Sequence, residues 1–317
     1  MKILVTGGCG YKGAVLVPKL LAAGHTVRVI DTHWFGRNLK AHERLEVLKG
    51  DLRETLPVEG CEAVVHLAGI ANDPCGELDA KLTWEVNVLA HMRLCDAAAR
   101  AGVKQFVYAS SASVYGVKGG LAITEDEPLA PVSDYNKTKM CAERILLSYA
   151  DRMRVQIVRP ATVCGVSPRM RLDVVVNMLA SQALSTGKMI AHCGAHGAQL
   201  MRPHTHIEDV TDLYCWLIEH PEVTGTFNAG FENQAVADTA KLIAGLVEGA
   251  RFEMTTVADK RSYLVDSSKL RAAGFAPKRG VADAVLDIAL AWREGRIHIA
   301  DRCFNLRWMQ KHGWVAG

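Results

Sequence analysis

The chain has 317 residues, 49% of them hydrophobic and 22% charged, with a formal net charge of +3. That length holds one large domain, or a domain with a smaller lobe, and leaves enough apolar material for a sizeable core. The near-neutral balance without a long basic run argues against nucleic acid as a main partner, and no uninterrupted apolar stretch reaches membrane-spanning length. The nine cysteines are scattered through apolar stretches and form no Cys-x-x-Cys pair, which reads as reduced core thiols of a cytoplasmic protein. Met1-Lys2-Ile3-Leu4-Val5 already reads as a strand, so no leader peptide is expected.

In chain order, Ile3–Thr6 reads as a buried strand, and Ala14–Ala23 as a helix ended by Gly24. Val27–Asp31, Leu45–Lys49 and Ala63–Ala68 follow as strands. A long helix is predicted over Trp84–Ala101, then a strand over Phe106–Ser110, a helix over Tyr135–Ala150 and a strand over Val155–Arg159. Continuous apolar strands alternating with helices predict an α/β fold, a doubly wound parallel (Rossmann) sheet covered on both faces. Beyond Pro160 the loops lengthen and the alternation becomes irregular, which predicts a smaller C-terminal substrate-binding lobe. We divide the chain into a dinucleotide-binding domain over 1–164, with 200–230 returning to it, and a mainly substrate-binding lobe over 165–317.

Thr6-Gly7-Gly8-Cys9-Gly10-Tyr11-Lys12-Gly13 follows the first strand and opens the first helix. Glycines at 7, 10 and 13 let a pyrophosphate approach main-chain N–H groups at a helix N-terminus, where a side chain would block it. A lone glycine triplet is weak, but strand, turn and helix are all in place here. Asp31 ends the second strand, 18 residues after Gly13. A carboxylate there accepts from both ribose hydroxyls and repels a 2′-phosphate, favouring NAD over NADP as cofactor. Arg37 lies nearby as a possible phosphate ligand. Asp51, in Gly50-Asp51-Leu52, reads equally as a contact to the adenine edge and as a cap at a strand end.

Tyr135 and Lys139 stand four apart on one helix face. A lysine beside a tyrosine favours phenolate and makes it a usable acid–base group near neutral pH. The spacing alone is common. It gains weight from Ser110-Ser111-Ala112-Ser113-Val114-Tyr115-Gly116, which follows the fifth strand at the carboxyl edge where such sheets bind ligands. A serine there stabilises charge developing on a reacting oxygen.

The glycine-rich turn, the serine run and Tyr135-x-x-x-Lys139 together resemble the extended short-chain dehydrogenases/reductases, and among them the NAD-dependent nucleotide-sugar epimerase/dehydratase family of the UDP-glucose 4-epimerase kind. The resemblance covers nearly the whole chain. It implies NAD contacts at Gly7, Gly10, Tyr11, Lys12, Gly13, Asp31, Asp51, Leu52, at Leu67, Ala68 and Gly69 after the fourth strand, and at Tyr135 and Lys139. Asn87 matches a structural asparagine, Arg159-Pro160 the end of the sixth strand, and Arg202 to Asp209 a late Arg…His-x-x-Asp segment. The implied chemistry has Ser111, Tyr135 and Lys139 as catalytic residues. Tyr135 removes a proton from a sugar hydroxyl, usually at C4, while Lys139 binds the nicotinamide ribose and holds the phenol's pKa down.

One departure narrows the reaction. The family's 4,6-dehydratases carry Thr-Asp-Glu where this chain has Ser111-Ala112-Ser113, and its decarboxylases usually carry a glutamate at the third position. Without these acid–base groups, oxidation and reduction at one carbon remain; the NAD preference read at Asp31 disfavours a keto-sugar reductase, and the resemblance, to a family in which retained NAD is common, implies epimerisation of a nucleotide sugar through a 4-keto intermediate. Net dehydrogenation is the alternative. A catalytically silent NAD-binding protein is a third reading, opposed by the intact set of Ser111, Tyr135 and Lys139.

On the substrate side, the resemblance implies contacts from Ser111, Ser113, Asn177, Arg202 and Arg261. Arginine's planar fork suits a diphosphate, and the plain alternative for each arginine is a solvated or salt-bridged surface position. The run Pro168-Arg169-Met170-Arg171-Leu172-Asp173 is unusual beside UDP-galactose epimerases and resembles a subgroup that includes GDP-heptose dehydrogenases. His192, His196, His204 and His206 fit no zinc-ligand spacing, so no metal is expected. Apolar residues on more than one face of the helices over 84–101 and 135–150, such as Leu89, Met92 and Leu94, fit the family's pairing of these helices in a homodimer.

Overall fold

The computed structural model describes residues 1–118, 122–257 and 262–313. The first half alternates strictly. β1 (Lys2–Thr6) leads into α1 (Gly13–Ala22), then β2 (Thr26–Asp31), β3 (Leu45–Lys49) and β4 (Ala63–His66). Two short helices, α2 (Asp73–Leu78) and α3 (Ala80–Trp84), precede α4 (Ala90–Arg100) and β5 (Gln105–Ala109). After the short β6 (Ala122–Ile123) come α5 (Asp134–Leu147), β7 (Arg154–Pro160) and β8 (Thr162–Cys164). The remainder comprises α6 (Val175–Thr186), β9 (Lys188–Cys193), β10 (Met201–His206), α7 (Ile207–Glu219), β11 (Gly225–Ala229), β12 (Glu232–Ala235) and α8 (Val236–Leu246). It ends with β13 (Arg251–Thr256), β14 (Leu264–Val265), α9 (Ser268–Ala272), α10 (Val281–Arg293) and α11 (Asn305–His312).

Seven strands form one sheet in the order β11-β7-β5-β4-β1-β2-β3. Every pairing in it is parallel. Side chains alternate across a strand, so the apolar run of β1 serves two cores at once. Ile3 and Val5 pack with Leu16, Leu20, Leu213 and Leu217 of α1 and α7. Leu4 packs on the other face with Leu94, Cys95, Ala98, Ala142 and Leu146 of α4 and α5. The chain order reverses between β1 and β4, and the crevice outside their carboxyl ends is where such sheets take a ligand.

The irregular second half is built from smaller units. β12, β10 and β8 make a three-stranded sheet, and β13 pairs with β9. A separate core of Leu179, Ala183, Met189, Ile243, Val285 and Ile288 joins α6, α8 and α10. α7 and β11, within residues 200–230, pack on α1 and pair with β7 respectively.

The helix predicted over Trp84–Ala101 is interrupted. Glu85–Leu89 forms a π-helical turn between α3 and α4. The wider turn brings Asn87 to the loop after β4. Its Oδ1 accepts from Ile70 N at 2.8 Å, and its Nδ2 donates to Ile70 O at 3.0 Å and to Thr138 Oγ1 at 3.1 Å. A local i→i+5 turn at such a position is a known device near functional sites. Among the described residues no helix is long and apolar enough to cross a membrane.

Candidate active site

A cavity of about 500 Å³ opens at the carboxyl edge of the sheet, over the β1/β4 crevice. The glycine-rich turn forms its floor. Gly7 has a φ of +69°, and a Cβ there would meet Ala68 Cα at 2.8 Å. A Cβ at Gly13 would meet Gly7 O and Gly8 Cα at 2.6 Å. Only a bare backbone closes this turn onto the strand and leaves its N–H groups open to a phosphate. Tyr11 and Lys12 line the cavity here. The Tyr11 hydroxyl donates to Gly165 O at 2.7 Å, joining the turn to the segment after β8.

Asp31 lines the far end. Its Oδ2 accepts from Cys9 N at 3.0 Å and its Oδ1 from His33 N at 2.8 Å. Burial raises its pKa, and these two bonds pull the other way. Asp51 and Leu52 also line the cavity. Asp51 follows the capping reading: it accepts from Arg53 N at 2.8 Å, and its Oδ2 pairs with Arg53 Nη2 at 2.9 Å. Leu67, Ala68 and Gly69 complete this wall.

The reacting end is set by β5 and α5. Ser111 caps the 3₁₀ turn Ala112–Tyr115, accepting from Ser113 N at 3.2 Å, and its hydroxyl lies 2.8 Å from Ser113 Oγ. Ser133 caps α5 by accepting from Asn136 N at 3.2 Å, which puts Tyr135 in the first turn and Lys139 one turn on. Ser111 and Tyr135 line the cavity together, and the serine hydroxyl is near enough to the phenol to favour its ionised form. Lys139 Nζ donates to Ala109 O at 2.8 Å and lies 4.9 Å from the centre of the Tyr108 ring. Burial, reinforced by Lys12, pulls Lys139 down to about 7. The phenol departs from expectation. Burial pushes Tyr135 up to about 12, the neighbouring Ser111 hydroxyl opposes that, and Asp73 adds to it. Beneath Lys139, His66 and His91 stack with ring centres 5.0 Å apart, and burial first of all holds both well below the ordinary histidine range.

Of the substrate-side residues, Ser113 and Arg202 line the cavity. Asn177 requires a correction. It is fully buried, its Oδ1 accepts from Gly165 N at 2.9 Å, and its Nδ2 donates to Tyr11 OH at 2.9 Å and Arg171 O at 2.8 Å. Its polar atoms are consumed by the protein, so it braces the cavity wall rather than reaching a ligand. Arg261 lies outside the described residues.

A family model described as the NAD dependent epimerase/dehydratase family matches residues 3–230. The chain belongs to this family. It is 29% identical over 325 residues to a UDP-glucose 4-epimerase of Lactobacillus helveticus, covering 94% of this chain and 98% of that one. Among solved structures, MoeE5 in complex with UDP-glucose and NAD is 27% identical with a TM-score of 0.80, over 94% of this chain and 100% of that chain. The UDP-glucose 4-epimerase of Thermus thermophilus in complex with NAD is 25% identical with a TM-score of 0.79, over 91% and 99%.

As a member of this family the protein is an NAD-dependent enzyme of the extended short-chain dehydrogenase/reductase type. The residues present fit that cofactor, since the turn admits no Cβ at Gly7 or Gly13 and Asp31 offers a carboxylate at the far end of the cavity. The family pattern left several cavity residues unmarked. Asp73, in the first turn of α2, accepts from Ser133 Oγ and lies close enough to Tyr135 to raise its pKa. Arg169 and Arg171 enter from the loop after β8, and Asn305 and Met309 from α11. Only the unusual Arg169–Asp173 run carried a signal. Asp73 and the two α11 residues had none.

Proposed function

We propose that this enzyme epimerises a nucleotide sugar, at C4, through a transient 4-keto intermediate. The observation that carries this reading is the convergence of Ser111, Tyr135 and Lys139 in the one cavity that also holds the glycine-rich turn. In this reading Tyr135 Oη takes the proton of the C4 hydroxyl. Bound NAD would supply the hydride acceptor and donor for C4, and inversion there requires the 4-keto sugar to turn its other face before it is reduced. Ser111 holds the reacting oxygen, with Ser113 beside it, while Lys139 holds the nicotinamide ribose. Tyr135 then gives its proton back. Gly7, Gly10, Tyr11, Lys12, Gly13, Asp31, Asp51, Leu52, Leu67, Ala68 and Gly69 make up the NAD site, and Arg202 faces the substrate diphosphate. The UDP-sugar named with MoeE5 supports a nucleotide-sugar substrate. The domain division at 164/165, with 200–230 returning to the first domain, belongs to this reading.

A second reading has one observation in its favour. Asp73 places a carboxylate near Tyr135 although Ser111-Ala112-Ser113 contains none, and elimination requires such a group. Product mass separates the possibilities. Incubation with a panel of nucleotide sugars is expected to give an isomer of unchanged mass without NADH accumulation. Loss of two hydrogens with matching NADH would make the enzyme a dehydrogenase, and loss of water a dehydratase.

The assembly we propose is a homodimer pairing the 84–101 and 135–150 segments. Leu89, Met92 and Leu147, exposed on these segments, support it. Light scattering of the purified chain tests it, and a monomeric mass would overturn it. A cytoplasmic location fits the scattered thiols.

A further inference from the structure

The protein gives the buried Lys139 ammonium few groups that favour its charge. Nζ donates to Ala109 O at 2.8 Å. Glu143, one turn on along α5, favours the charge, but its carboxylate is committed to Arg159 and Ser110. Lys12, at the start of α1, opposes it. The ammonium instead faces an aromatic ring. Nζ lies 4.9 Å from the centre of Tyr108 on β5, nearer than the 6.0 Å to the centre of Tyr135. Tyr108 is 1% exposed, and its hydroxyl is sealed and makes no hydrogen bond. Burial first of all, and Glu143 after it, keep this phenol un-ionised. What the residue presents to Lys139 is therefore a neutral ring, and its hydroxyl ties nothing.

Two imidazoles brace that ring. His66 of β4 stacks on it with centres 5.5 Å apart and planes 21° apart, and His91 of α4 lies with its centre at 4.7 Å. Each imidazole is anchored in turn. His66 Nδ1 is 2.6 Å from Thr6 Oγ1, at the end of β1. His91 Nε2 is 3.0 Å from Ala142 O on α5, and because a carbonyl only accepts, this nitrogen carries the hydrogen. Burial, with Lys139 itself opposing a second charge, keeps both imidazoles neutral. No like charge therefore meets the ammonium from this side. A cation within about 6 Å of an aromatic centre is drawn to the negative face of the ring, and more strongly where water is excluded. We infer that Tyr108 is a positioning residue: its ring face, braced by His66 and His91, holds the Lys139 ammonium in place and in its charged form beside Tyr135. The inference rests on the reading of Lys139 as the cation that works with Tyr135.

The test separates a ring face from mere bulk. The full chain, free of nucleotide, is labelled with ¹³C-lysine, and the Lys139 resonance is assigned by its loss in Lys139→Met. Its titration with pH is read beside kcat. Tyr108→Leu removes the face and is expected to lower the Lys139 pKa by about one pH unit. With it kcat should fall by about tenfold, while the Kd for UDP stays unchanged. Tyr108→Phe keeps the face and loses only a hydroxyl without a partner, so this conservative variant should recover both the titration and the turnover. Tyr108→Met, which fills the space without a π face, carries the test if Tyr108→Leu fails to fold. A Lys139 titration in either folded variant equal to that of the unmodified chain would overturn the inference. So would a Tyr108→Phe protein as impaired as Tyr108→Leu, or a displaced titration with kcat unchanged. If the unmodified chain turned over no nucleotide sugar, the proposed reaction would fail, and the lysine titration would still decide whether the ring holds the ammonium.

Discussion

Lys139 Nζ lies 6.0 Å from the centre of the Tyr135 ring, yet burial rather than this ammonium dominates the acidity of the phenol. The ammonium is itself buried, donates to Ala109 O, and is pulled down to about 7. The two groups share one dry pocket that opposes charge on both. A proton therefore leaves Tyr135 readily only with help from Ser111 and from whatever positive charge enters the pocket with the ligands.

Removing the phenol isolates its role. Tyr135→Phe is expected to lower turnover by about 10²–10⁴-fold, the usual weight of a positioned acid–base group. The amount of NAD retained per chain should stay unchanged, since the cofactor floor is built from β1, α1 and Asp31. Initial rates and nucleotide content of the same preparation check both halves. Full activity in the variant would return the protein to the class of NAD-binding modules.

Asp73 raises the Tyr135 pKa, so Asp73→Asn should lower it. If the phenolate is the working base, the rise of kcat/KM with pH then moves to lower pH. The plateau is retained, and the pH–rate profile shows the shift. An acid or base role for Asp73 in elimination predicts instead a loss of turnover at every pH.

The sheet was legible because β1, β4 and β5 are buried on both faces, and such strands must be written as unbroken apolar runs. The glycine-rich turn was legible because it stands between a strand and a helix, and the Tyr135/Lys139 pair because it comes with the serine run after the fifth strand. Asp73 was hidden since nothing local marks it: its meeting with Tyr135 is made by Ser133, 60 residues on. The interruption at Glu85–Leu89 was hidden for the same reason, as the bonds of Asn87 to Ile70 and Thr138 are tertiary. Asn177 misled because a side chain at the right place in the chain is consumed by Gly165, Tyr11 and Arg171 in space.

The depressed Lys139 pKa is also a statement about stability. An unfolded lysine titrates near its ordinary value of 10.5, and the folded one at about 7. Between those values the unfolded chain holds a proton that the folded chain lacks, so stability rises with pH in this window. The penalty is complete below about 7 and absent above the unfolded pKa. Lys139→Met removes this contribution. The stability of nucleotide-free protein, measured by denaturant unfolding between about pH 7 and 9, should rise less steeply in the variant, by up to about 1.4 kcal/mol per pH unit. Equal slopes would mean that the folded lysine stays charged.

Glu143, on α5 one turn beyond Lys139, is 2% exposed and forms a forked pair with Arg159. Arg159 Nε donates to Oε1 at 3.0 Å and Nη2 to Oε2 at 2.7 Å, while Ser110 Oγ also donates to Oε1. Arg159 Nη1 continues to Tyr115 OH at 2.7 Å, which donates to Asn228 Oδ1 at 2.8 Å. The network thus ties α5, the ends of β5 and β7, and β11 together directly behind the reacting residues. Glu143→Ala strands a buried guanidinium, and such breakage costs about 3–5 kcal/mol, measured as a fall in the urea midpoint. Replacing both partners, as Glu143→Leu with Arg159→Met, removes the stranded charge and should recover much of that loss. Activity should not return with stability, because Ser110 and Tyr115 lose the partners that hold the turn carrying Ser111. A double variant as active as the unmodified chain would show that this turn is held without the ion pair.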